Sequence, residues 1–408
     1  MNRMRYCRLL AAGLVCIAVQ LPAQEKLQDR QPAVAGQFYP ADKDELAGTL
    51  KGLFAKAVPS KNFKHVLAVI APHAGYVFSG EVAASSFNQV DPGREYENIF
   101  ILGPSHHVGF EGASVYSKGN FITPLGTVEV NRVLAARLIR ENEVFVDRDD
   151  AHRYEHSIEV QLPFLQYIMK KSFTIVPISV GANSPETCRK IASALRPFFN
   201  ARNLFVMSTD FSHYPSYGDA ENVDNTTAAA ILSNSPEKLL RTLESNEQMK
   251  IPNLATSMCG WPCVLTLLYM TREIPGISME LIKYSNSGDS PLGQKDRVVG
   301  YCSIAVSLTE KKEKSSFNLM DRDRKRLLAI ARSTIDGYVT SHRVPAIDTV
   351  GLSPNAKANC GAFVTVNKHE MLRGCIGRFD ASAPLYKVVQ EMAVAAATED
   401  YRFPPVGP

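Results

Sequence analysis

HVLAVIAPHAG (65–75) runs a short apolar stretch into a polar motif in which His73 is framed by Pro72 and Gly75. The apolar part reads as a buried strand. Pro72 biases the residue before it to extended geometry. Gly75 lets the backbone turn sharply and leaves the imidazole at a rim. The same arrangement recurs twice: NIFIL (98–102) leads into GPSHH (103–107), and NLFVM (203–207) leads into STDFSH (208–213). A fourth polar motif, YEHSIE (154–159), instead precedes the strand FTIVPISV (173–180) and belongs to a loop or helix start. Strand carboxyl ends in an α/β sheet converge on one crevice. His73, His106, His107, Asp210 and His213 are therefore expected to meet in space, and imidazole with carboxylate in one crevice points to a metal or acid–base site.

Around these strands the pattern alternates. Further strand candidates lie at 279–284 and 298–307, and amphipathic helices at 130–141 and 188–199 repeat apolar residues at three and four. Alternation of this kind argues for an α/β fold: a mostly parallel central sheet with helices on both faces. It breaks at TEKKEKSSFNLMD (309–321), which reads as a linker over 309–320. A second unit, 321–408, opens on a helix whose apolar face is traced by Leu327, Leu328, Ala331, Ile335, Tyr338 and Val339. A strand (361–368), LRGCIGRF (372–379) and a closing helix follow. About 90 residues is near the small end for an independent core.

The chain has 408 residues, 45% of them apolar, enough for two or three domains. Residues 1–23 place Arg3, Arg5 and Arg8 before or at the start of the apolar run 9–21, which leads to Pro22 and Ala23. That order is the signature of a secretory signal peptide, and export to the periplasm is the expectation. The run is too short to span a bilayer, so no membrane span is expected. Without its three arginines the mature chain has 42 basic groups against 41 acidic ones. So neutral a balance excludes the broad basic surface of a nucleic-acid binder. Six cysteines remain, too few in so long a chain for a disulfide scaffold.

Each candidate has a bland reading beside the chemical one. His106 and His107 are adjacent, so on extended chain only one faces a given site. Asp210 and His213 share a face if a helix starts after Thr209, in which case Asp210 is equally its N-cap. Glu155, His156 and Glu159 either orient metal-bound imidazoles from behind or form a solvated helix start. Cys259 precedes an apolar helix, where the helix N-terminus would lower a thiol pKa, although a buried structural cysteine is the commoner outcome.

Taken in order, RQPAVAGQFYP, APHAGYVFSG, ILGPSHHVGF, YEHSIEVQLPFL, MSTDFSHY and MCGWP closely resemble the MEMO family, over roughly residues 30–308. LRGCIG (372–377) and EDYRFPPV (399–406) resemble the AMMECR family, whose domains continue past the latter motif, so 321–408 is expected to be a partial, small α+β domain. The resemblance implies the AmmeMemoRadiSam set, its protein B fused to the start of protein A, with a radical-SAM protein as a functional partner. It also implies a fold like that of class III extradiol dioxygenases of the LigB type. The family's metal ligands fall on His73, His106 and Cys259, and its additional pocket residues on Asp210 and His213. The expected ion is Fe(II), with copper as the alternative because a thiolate is a soft ligand. His213 would act as acid–base group with Asp210 orienting it or a substrate hydroxyl, while His107, His156 and Glu159 support the site from behind. The implied function is a metal-dependent, dioxygenase-like redox enzyme acting on a small molecule. The alternative is a module that kept the cleft and binds a ligand, peptide or metal without turnover.

Overall fold

The computed structural model describes residues 27–309, 319–380 and 382–408. The leader at 1–23 and most of the linker at 309–320 lie outside the described residues. Two compact units divide at residue 309. Among the described residues, no helix is long and apolar enough to cross a membrane.

The first unit carries ten strands: β1 (Val66–Ala71), β2 (Asn98–Pro104), β3 (Ala113–Val115), β4 (Phe121–Thr123), β5 (Gly126–Val130), β6 (Phe145–Val146), β7 (Thr174–Val180), β8 (Asn203–Ser208), β9 (Ile277–Asn286) and β10 (Gly300–Leu308). Their main order across the sheet is β4-β5-β7-β2-β8-β1-β10-β9, with β3 and β6 branching from β7. From β5 to β1 all pairings are parallel. The margins are antiparallel, β9 and β10 on one side and β3 and β4 on the other.

Both faces of the central strands are covered, which is why they read as nearly unbroken apolar runs. Side chains alternate across a strand. Val69, Ile99, Ile101, Leu204 and Val206 enter one core, with the helices Lys43–Lys56, Tyr76–Phe87 and Leu162–Ile168. Ala68, Ile70, Phe100, Leu102, Phe205 and Met207 enter the other, with Pro185–Leu195 and Trp261–Thr271. Each fully buried Val, Ile or Phe is worth about 1.5–3 kcal/mol relative to leaving it exposed. A shift of one residue would turn every inward side chain to the other layer, so the register is firmly set.

That register positions the site. Val69 of β1 and Ile101 of β2 both lie beside Val206 of β8, and Ala71 lies beside Ser208. The three strands therefore end at one level, and the residues just beyond them emerge together at the carboxyl edge.

The second unit packs the helix Leu385–Thr398 on a hairpin, β11 (Ala362–Lys368) and β12 (Met371–Arg378), and the helix Asp321–Ser341 against that helix. Leu327, Ala331, Val364, Leu385, Val389, Ala393 and Ala396 form its small core. Leu328 does not join them. It is 71% exposed, and the buried stripe runs instead through Leu327, Ala331 and Thr334, because Leu328 is turned about a quarter of the helix circumference away.

Candidate functional site

His73 leaves β1 two residues beyond its end and is buried. Its Nδ1 lies 2.9 Å from Ser208 Oγ. The Ser208 hydroxyl donates to the Ser157 carbonyl at 2.6 Å, and Gln161 Nε2 donates to Ser208 Oγ and to the Pro72 carbonyl, each at 2.9 Å. With the serine proton committed, His73 Nδ1 must carry its own hydrogen. Nε2 is then left with a lone pair, directed at Cys259 Sγ 3.2 Å away.

His106 follows β2. Its backbone N–H donates to Glu155 Oε2 at 2.6 Å, and its Nδ1 lies 2.9 Å from Glu155 Oε1. Glu155 is the N-cap of the short helix His156–Glu159 and also accepts from the Ser157 N–H. This cap turns His156 inward. The His156 ring stacks on His106 at 4.5 Å and stands edge-on to His73 at 5.4 Å. Gly103 allows that approach, since a Cβ there would come within 2.3 Å of Ser157 Oγ. One ring nitrogen each from His73, His106 and His156 lie within 4.8 Å of one another.

Cys259 stands beside this trio, touching His73 and accepting from the Asp210 N–H at 3.3 Å. Gly260, the N-cap of the helix Trp261–Thr271, lies so close to β8 that a Cβ would meet the Ser208 carbonyl at 2.6 Å. Asp210 Oδ1 accepts from the His73 N–H at 2.8 Å, and Oδ2 is 3.9 Å from His73 Nε2.

The remaining sequence candidates fall differently. No helix starts after Thr209; the next one is Tyr217–Leu232. His213 is tied by β-bridges to Thr256 and Val299 rather than into a helix, so Asp210 is no N-cap and shares no helical face with His213. His213 Nε2 is buried without a hydrogen-bond partner, and Asp210 makes no bond to it. His107 is exposed, its ring 6.3 Å from that of His156. Glu159 touches no imidazole. It binds Arg30 in a buried ion pair and accepts from Tyr39 Oη at 2.5 Å and the Ala33 and Val34 N–H groups at 2.8 and 3.1 Å. It thereby stitches RQPAVAGQFYP to the cluster, where Phe38 packs on His156 at 4.8 Å.

Burial dominates the electrostatics. Desolvation, then the neighbouring imidazoles, hold His73 well below its usual range. Desolvation, then His106, brings His156 and His213 to about 4. For His106, burial is opposed and outweighed by the Glu155 hydrogen bond and charge, so it is raised. Glu155 itself falls to about 2: burial pushes up, but its bonds and charge interaction with His106 win. Burial raises Asp210 to about 7 against the His73 N–H bond. It also pushes the Cys259 thiol upward, with the Asp210 charge adding to the effect. Being next to a helix start does not lower this thiol, because desolvation is the larger influence.

Two imidazoles, His73 and His156, held neutral by desolvation, a third, His106, backed by a carboxylate, and a sulfur alongside form a donor set that fits a transition metal. Sequence reasoning placed His156 behind the ligands and passed over Gln161 and Ser208. The signal for His156 was Glu155 as N-cap, which puts the next side chain at a fixed angle.

The family model described as Memo-like protein matches residues 30–305. The chain belongs to the Memo-like family. A second model, AMMECR1, matches residues 328–408. This Memo-like chain is 35% identical over 284 residues to a MEMO1 family protein of Methanosarcina mazei, covering 69% of this chain and all of the relative. It is 34% identical over 280 residues to a MEMO1 family protein of Thermoplasma acidophilum, covering 67% and 97%. Among solved structures, the uncharacterized protein JW3007 from Escherichia coli K12 aligns with 58% of the Memo-like chain and 98% of its own, at 11% identity and a TM-score of 0.38.

Proposed function

We propose that this protein is a metal-dependent redox enzyme of dioxygenase-like type, its ion held by His73, His106 and His156 with Cys259 at its side. The observation that carries this reading is the convergence of three ring nitrogens within 4.8 Å, two of them fixed with Nδ1 turned away onto Ser208 and Glu155. Fe(II) is the expected ion, and copper is the alternative that the neighbouring sulfur favours. When bound, such an ion supplies Lewis acidity and open coordination positions.

The chain's own residues supply the rest. Asp210, at about 7, holds or releases a proton at neutral pH. His213 offers Nε2, buried and without a partner, to a hydroxyl of a small-molecule substrate. Phe38 and the stitched arm behind it shield His156 from water. Export to the periplasm, and a functional link to a radical-SAM protein, remain part of the proposal on the strength of the sequence alone.

The test is anaerobic purification with metal content by elemental mass spectrometry, beside His106→Ala, His156→Ala and Cys259→Ala. Near-stoichiometric iron or copper, lost in both histidine variants, supports the reading. No metal, or metal indifferent to all three changes, sinks it in favour of a non-catalytic binding cleft. Loss in Cys259→Ala as well would make the sulfur a ligand rather than a neighbour.

A further inference from the structure

Beside the cluster, the stretches 211–217 and 295–300 run together as a hydrogen-bonded ladder. Phe211 N–H donates to the Gly300 carbonyl and Gly300 N–H to that of Ser212, both at 2.8 Å. Tyr214 N–H donates to the Val298 carbonyl at 2.6 Å, and Val298 N–H to that of Pro215 at 2.9 Å. The ladder holds Tyr214 in the left-handed region, at φ 74°, a conformation an aromatic residue adopts only when its surroundings impose it. Its ring stands 5.5 Å from that of His213, the imidazole with the unpartnered Nε2. The Arg297 guanidinium also lies over the Tyr214 ring, 4.2 Å from the centroid.

Arg297 is exposed and, among the described residues, has no carboxylate within 4.0 Å. The acids of the cluster are already engaged, Glu155 with His106 and Ser157, and Asp210 with the His73 N–H. Lys295, on the same ladder, covers Tyr217 at 4.9 Å, but Tyr217 also binds Asp289, which balances that cation. Arg297 is thus an unbalanced cation, oriented by stacking, on the ladder that carries His213. A guanidinium presents a planar fork that matches an oxyanion with two hydrogen bonds.

We propose that Arg297, backed by Tyr214, recognises an oxyanion, carboxylate or phosphate, carried by the small-molecule substrate of the histidine cluster. The inference rests on reading that cluster as the functional site. Benzoate, phenyl phosphate and phenol share a ring and differ in charge. Each is titrated by calorimetry into the full chain, with and without iron. The expected result is at least tenfold tighter binding of one anion than of phenol, weakening with added salt. Arg297→Gln should abolish that preference and leave phenol binding unchanged, while Arg297→Lys should retain part of it. Whichever of benzoate and phenyl phosphate binds more tightly identifies the oxyanion. Equal or absent binding of all three probes, or a preference that survives Arg297→Gln, overturns the proposal. The iron-free arm separates the two readings: failure to take up iron would remove the metal function while an Arg297-dependent preference still stood.

Discussion

Glu155 grips His106 twice, through the backbone N–H at 2.6 Å and through Nδ1 at 2.9 Å. The second contact fixes the ring and leaves Nε2 as the nitrogen not engaged by Glu155. Outer partners of this kind typically govern metal affinity by about 10–100-fold. On the proposed metal reading, Glu155→Gln should therefore weaken iron binding by that order, read by competition with a chelator. Wild-type affinity in the variant would mean that His106 is not a ligand.

The Arg30–Glu159 pair is buried on both sides, with side-chain exposures of 3% and 0%. Removing one partner strands the other charge, which costs about 3–5 kcal/mol in buried pairs. Glu159→Ala should lower the denaturant midpoint accordingly, and Arg30→Met with Glu159→Leu together should lower it much less. Equal losses in the single and double variants would contradict this account.

Gly103 and Ser157 touch where β2 meets the helix His156–Glu159. A methyl group at 103 would sit 2.3 Å from Ser157 Oγ and 2.9 Å from its Cβ. Overpacking of this sort costs about 1–3 kcal/mol. Gly103→Ala should lose that much stability and displace His156, so its metal content should fall with it. Gly103→Ala with Ser157→Gly should restore both, measured by thermal unfolding and elemental analysis.

Asp224 is buried, accepting from Ser212 N–H at 2.8 Å and Tyr284 Oη at 3.0 Å. Desolvation outweighs those bonds and raises it to about 7. A carboxyl raised on folding holds its proton in the native state where the unfolded chain has released it. The stability that Asp224 contributes to the metal-free protein should thus be fully present below pH about 4 and be lost as pH rises to about 7. Asp224→Asn should flatten that decline. Asp210 shifts the same way, so part of the slope should persist. An unchanged slope in Asp224→Asn would show that Asp224 is ionised in the fold.

Much of the architecture was readable because a strand covered on both faces must be apolar throughout, as HVLAVI, NIFIL and NLFVM are. The placement of His73, His106 and Asp210 at one edge followed from the parallel register. What escaped reading depended on distant partners. The role of Glu159 is set by Arg30, 129 residues away, and no local spacing reveals it. The question whether a helix starts after Thr209 is decided by bridges of His213 with Thr256 and Val299, which local propensity cannot register. Leu328 was misplaced because apolar neighbours at 327 and 328 cannot both face one core, and sequence alone does not choose between them.

His73 and Cys259 make contact across 186 residues of chain. A ribosome emits the first of these long before the second, and the ladder that braces His213 closes only after residue 300 has appeared. The His73–Cys259 contact thus cannot form before most of this unit has been made. On the proposed metal reading, insertion of the ion would belong after synthesis of this unit, and a cell that controls when and where the chain folds would also control which metal it meets first.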